Sequence, residues 1–149
     1  MTPEEILAAV RAGDYEVRWA TVRAEHAGHV GEFTVMADAL RIRGVRVAVS
    51  AATEQRIADL LDASLLTERL ADLIWGQADV RIEPQLTLDY AGMVDWTRGV
   101  VEHSKRCDEA IAGRGGLVAN VGKDWILSDR LLGARAHTGE QAACNIGWY

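Results

Sequence analysis

A chain of 149 residues, 49% of them apolar and only two of them proline, is sized for one hydrophobic core and is not the composition of a disordered or fibrous polypeptide. Its net charge of -6 argues against nucleic acid and anionic membranes as partners, since both reward a basic surface. Two cysteines make no disulfide framework, and no apolar run reaches the roughly 20 residues of a membrane helix.

The opening Met1-Thr2-Pro3-Glu4-Glu5 has neither the basic nor the apolar stretch of a secretory signal. The expected location is therefore the cytoplasm of a bacterial cell or of a phage-infected host.

The first helix is signalled by its own start. Thr2 suits the N-cap, Pro3 the first helical position and Glu5 the return arm of a capping box; Gly13 stops it. A strand is predicted next, with Tyr15, Val17, Trp19 and Thr21 on one face and Glu16, Arg18 and Ala20 on the other. The segment from Glu25 to His29 reads as a turn, and Phe33, Val35 and Ala37 as a second strand. Leu40 and Ile42, then Val45, Val47 and Val49, predict a tight hairpin about Arg43-Gly44. Arg41, Arg43 and Arg46 alternate with its aliphatics, so they are expected on a solvated face.

The middle of the chain is helical in period. Ser50 or Thr53 caps a segment with Ile57, Ala58, Leu60 and Leu61. Thr67 caps another with Leu70, Ala71, Leu73, Ile74 and Trp75 as its core side. After an extended piece at Val80 to Ile82, a third helix is predicted from Met93 to Ala112, stopped by Gly113, Gly115 and Gly116. Leu117 to Val121 and Trp125 to Leu127 predict a late hairpin closed near Gly122-Lys123, and Gly133 to Gly139 an exposed loop. The order gives a single α+β domain over residues 1–149: an N-terminal helix, antiparallel strands, three helices in the middle and a late β-hairpin.

Candidate chemistry concentrates late in the chain. His103 and Cys107 lie four apart and share a helix face, where a histidine can bind a metal with a thiolate or lower a thiol pKa. The competing reading is a small buried cysteine beside a core-edge histidine. Lys123 and Asp124 are a catalytic pair if a rigid turn desolvates them, and an exposed turn pair otherwise. His26 and His29 form an H-x-x-H that needs a further ligand. The Gly113 to Gly116 run lacks the lysine and hydroxyl of a phosphate loop, and no cofactor motif or G-x-S-x-G elbow is present. Whether a metal binds is left open.

Five tryptophans are many for this length. Trp75 and Trp96 are expected in the core. Trp125 and Trp148, with His137 from the polar loop, are the candidates for ligand or partner contact.

The stretches VRVAVSAATEQRIADLLDASLLTERLADLIWGQA, VEHSKRCDEAIAG, GLVANVGKDWIL and ACNIGWY, spanning Val45 to Tyr149, resemble blocks in a group of phage and bacterial proteins. That resemblance implies a phage or prophage setting and brings no activity with it. In the group the last block ends in His where this chain has Tyr149, and a further His- and Asp-containing segment follows. A site built on that segment would be incomplete here.

Three functions are expected from these readings. The first is a small hydrolase of a cell-wall or peptide-like substrate, using His103, Cys107, Lys123 and Asp124. The second is a non-enzymatic phage assembly protein that associates with itself as a homo-oligomer. The third is a protein that binds a small molecule between sheet and helices.

Overall fold

The computed structural model describes residues 1–85, 96–119, 124–129 and 143–146, with the backbone alone for 96 and 97. The chain is a mixed α+β protein, and its helix α1 (Pro3–Ala12) starts as its sequence dictates. The Thr2 hydroxyl accepts from the Glu5 amide at 3.3 Å, and the Glu5 carboxylate takes the Thr2 amide at 2.7 Å. Gly13 ends it at φ 73°, a backbone that glycine adopts without strain.

Two eight-residue strands, β1 (Trp19–His26) and β2 (His29–Met36), form an antiparallel hairpin closed by Ala27-Gly28. Both turn residues have positive φ, 50° and 76°, so the turn twists with the strands. A second hairpin joins β3 (Arg41–Ile42) and β4 (Val45–Arg46) through Arg43-Gly44, also at positive φ. Glu16 bridges to Arg41, which binds the two hairpins together.

The expected facing of the first strand fails at Trp19. Tyr15 and Val17 turn inward, but Arg18 and Trp19 are both exposed and the inward set continues as Ala20, Val22 and Ala24. The alternation slips by one residue where the Arg18 carbonyl accepts the Ala37 amide at 2.7 Å. Trp19 is thereby left 49% exposed.

Three helices follow: α2 (Ala51–Leu60), capped by Ser50; α3 (Glu68–Gln77), capped by Thr67; and α4 (Trp96–Ile111). The residues Met93 to Asp95 assigned to the last helix lie outside the described set. The short strand β5 (Leu66–Thr67) pairs in parallel with β8 (Asp124–Leu127), which pairs antiparallel with β9 (Cys144–Ile146). Similarly β6 (Val80–Arg81) runs parallel to β7 (Val118–Ala119). The two segments predicted to pair as a late hairpin, β7 and β8, thus take other partners among the described residues. Their turn at Gly122-Lys123 and the loop at 133–139 lie outside those residues.

Three apolar clusters hold these pieces. Leu7, fully buried, packs with Ile6 and Val10 of α1, Leu40, Ile42 and Ile57 of α2. Val80, Ile82, Val118 and Ile111 enclose Cys107. Val22, Val35 and Leu117 pack against Leu70, Leu73 and Ile74 of α3. Gly116, at φ 96°, leaves room for Asp79, whose carboxylate accepts the Leu117 amide at 2.8 Å.

Arg46 corrects the picture of a solvated arginine face: it is 3% exposed. Its guanidinium grips Asp38 with two hydrogen bonds, at 2.9 and 2.7 Å. A third bond reaches the Ser104 carbonyl of α4 at 2.9 Å and a fourth Asp108 at 2.9 Å. The buried carboxylate of Asp38 is desolvated, but Arg46 outweighs this and holds its pKa below the ordinary value. Arg41 meets the same two aspartates from the rim. This network fastens α4 to the second hairpin.

Candidate functional site

A cleft of about 800 Å³ opens between the first hairpin, α2, α3 and β8, within the size range of small-ligand sites. Its walls are largely apolar. Trp19, Trp75 and Trp125 line it, with Leu66, Ile74 and Ile146. Trp75, expected in the core, is only half-buried, and the Arg81 guanidinium lies 5.5 Å from its ring centre. Trp125 is fixed in the wall because its Nε1 donates to the Val49 carbonyl at 3.0 Å. Val49 directly precedes the cap of α2, so this one bond ties β8 to the start of that helix.

The helix start carries Glu54 and the strand carries Asp124, and both line the cleft. Neither carboxyl has a side-chain hydrogen bond or ion pair among the described residues. Desolvation by the apolar walls pushes Glu54 up to about 7, and the negative charge of Asp124 adds to that rise. Protein crowds Asp124 from most sides and pushes its carboxyl up to about 6, although the residue keeps an exposed flank. Around neutral pH Glu54 is divided between acid and carboxylate while Asp124 is mostly carboxylate. Two such groups in one low-dielectric site are what proton transfer in both directions requires.

His103 lines the same cleft from α4 and is half-buried. Burial comes first in lowering its pKa, and the cations Arg46 and Arg106 add to it, so the imidazole is neutral at pH 7. Its two ring nitrogens stand 3.9 and 3.8 Å from the Cys107 sulfur. The spacing of four does bring the pair together on one face.

Cys107, however, is fully buried in the cluster beneath and does not reach the cleft. Burial pushes its thiol pKa up, the opposite of what a nucleophile or metal-binding thiolate needs. It behaves as the small core residue of the competing reading.

Of the other residues singled out from sequence, Asp124 and Trp125 stand in the cleft. Lys123, His137 and Trp148, and the side chain of Trp96, lie outside the described residues. His26 and His29 face each other across the first turn, and no group of three or more metal-ligating side chains occurs among the described residues.

Glu54 was not legible as a site residue. It reads as an ordinary first-turn acid, favourable at a helix N-terminus. Only the tertiary walls around it reveal its chemistry. Comparison with protein families, curated proteins and solved structures found no match to this chain.

Proposed function

We propose that the protein is a hydrolase that cleaves glycosidic bonds of a cell-wall polymer by acid–base chemistry, with Glu54 as the acid and Asp124 as the base or nucleophile. The observation that carries this reading is the pair of carboxyls, both without a side-chain partner among the described residues, that line one apolar cleft. In such a mechanism the protonated carboxyl gives its proton to the leaving oxygen while the ionised one activates water or attacks the sugar carbon.

The tryptophan walls support a sugar substrate, because flat aromatic faces suit the apolar faces of pyranose rings. Neutral His103 lines the same cleft, where it would orient a hydroxyl of the substrate. A phage or prophage setting belongs to the same proposal, since lysis and entry both need such an activity.

Purified cell-wall sacculi provide the test. The wild-type protein is expected to release soluble fragments with new reducing ends. Glu54→Gln and Asp124→Asn are each expected to lose about 10²–10⁴-fold in rate with unchanged circular dichroism. New amino groups without new reducing ends would move the assignment to peptide bonds. No release of either kind, or full activity in Glu54→Gln, refutes it.

A further inference from the structure

We propose that Trp125 is the positioning residue of the carboxyl pair: the bond from its indole N–H to the Val49 carbonyl sets where Asp124 of β8 stands against Glu54 of α2. This rests on the reading of Glu54 and Asp124 as the reacting pair.

A short path leads from that bond to each carboxyl. On one side Val49 runs into Ser50, whose hydroxyl caps α2 by accepting the Thr53 amide at 3.4 Å and whose carbonyl accepts the Glu54 amide at 2.9 Å. On the other side Asp124 directly precedes Trp125 along the strand. The indole bond, at 3.0 Å, joins the two sides.

β8 has a further hold on the chain that follows α2, its parallel ladder with β5, but that ladder begins only at Ile126. Asp124 and Trp125 stand before it. β9 pairs with them on the other flank, where Asp124 faces Ile146 and Trp125 faces Asn145. Among the described residues the indole bond is therefore the one hydrogen bond from the start of β8 to the head of α2. The first hairpin is tied to its helix more firmly. Gln77 of α3 uses both ends of its amide on Arg23 of β1: Oε1 accepts the Arg23 amide at 3.0 Å, and Nε2 donates to the Arg23 carbonyl at 2.8 Å.

The pair needs such a hold. The charge of Asp124 is felt at Glu54, and two carboxyls in a poorly solvated cleft repel when both ionise. A strand start free to move would relieve that repulsion by swinging away, and acid and base would no longer address one bond of the substrate. Indole suits the task, because its N–H donates and cannot accept, while its ring belongs to the apolar wall. The other titratable side chains of the cleft are anchored elsewhere. Asp38 and Arg46 grip each other, Asp62 lies past the end of α2, and His103 stands on α4.

NMR titration of the Glu54 carboxyl carbon, in a double-mutant cycle without substrate, tests the hold. In the wild type the indole N–H is expected to be protected from hydrogen exchange, and Asp124→Asn to lower the Glu54 midpoint. Trp125→Phe keeps an aromatic wall and removes the donor. In that variant the Glu54 midpoint is expected below the wild-type one, and Asp124→Asn to change it little further. Its kcat on cell-wall sacculi is expected to fall by about 10²-fold with unchanged circular dichroism. Ile111→Ala, which loosens the second apolar cluster and spares the cleft, is expected to keep the wild-type response to Asp124→Asn. An undiminished response in Trp125→Phe overturns the proposal, as does full kcat in that variant, the same loss of response in Ile111→Ala, or a wild-type indole N–H that exchanges as fast as free tryptophan. A wild type inactive on sacculi refutes the hydrolase reading by itself, and the titration then decides alone whether Trp125 holds the pair.

Discussion

Replacing Glu54 with glutamine should make the protein more stable in base and almost unchanged in acid. The apolar walls favour the protonated carboxyl, so the native state binds a proton that the unfolded chain releases near 4.5. A native state that holds more protons loses stability as pH rises, here from about 4.5 through about 7. Moving a carboxyl between those two values corresponds to about 3 kcal/mol. Solvent at the open side of the cleft screens part of this, which leaves about 1–2 kcal/mol for the ionised group.

Glutamine keeps the shape and removes the ionisation. Urea titrations of both proteins at pH 4.5 and pH 8 measure the difference. The variant should gain about 1–2 kcal/mol at pH 8 and only a few tenths at pH 4.5, equivalent to a melting shift of roughly 2–8 °C in base. Equal stability at both pH values, or a loss at pH 8, would show that Glu54 is solvated or paired, and the acid role would fall with it.

Other perturbations probe separate parts of the same reasoning. Asp124→Asn removes the charge that helps raise Glu54, so the Glu54 carboxyl carbon should titrate lower by NMR while staying above an ordinary glutamate, because desolvation remains. Arg46→Ala leaves Asp38 buried without its partner and should cost about 3–5 kcal/mol in denaturant midpoint measurements, whereas Arg46→Met with Asp38→Leu should recover much of that. Leu7→Ala opens a hole under α1 and should cost about 2–5 kcal/mol by the same method, with m unchanged. Thr2→Ala breaks the capping box and should cost about 1 kcal/mol.

Local signals were read well from sequence, and long-range choices were not. Thr2, Pro3 and Glu5 announce α1 because a capping box is closed within four residues. Arg43-Gly44 announces its hairpin because positive φ at two successive residues is a local demand. Thr67 and Ser50 cap their helices for the same kind of reason.

The partners of β7 and β8 depend instead on which distant strand they meet, and nothing between Leu117 and Leu127 encodes that. Arg46 looked solvated because its strand alternates, yet its fate was set by Asp38 and Ser104, the latter 58 positions away. The site shows the same division. His103 and Cys107 were visible as neighbours from their spacing, and Asp124 and Trp125 as candidates at a strand end. Glu54 became visible only once Trp125 and Val49 had brought β8 against the head of α2.

The side-chain amide of Gln77 has a consequence for how far growth of the first hairpin can go. It occupies the main chain of β1 as a short piece of strand would, so that flank offers no template at Arg23. An approaching strand meets a donor and an acceptor already taken there, which protects the β1 flank against edge-to-edge pairing at that point.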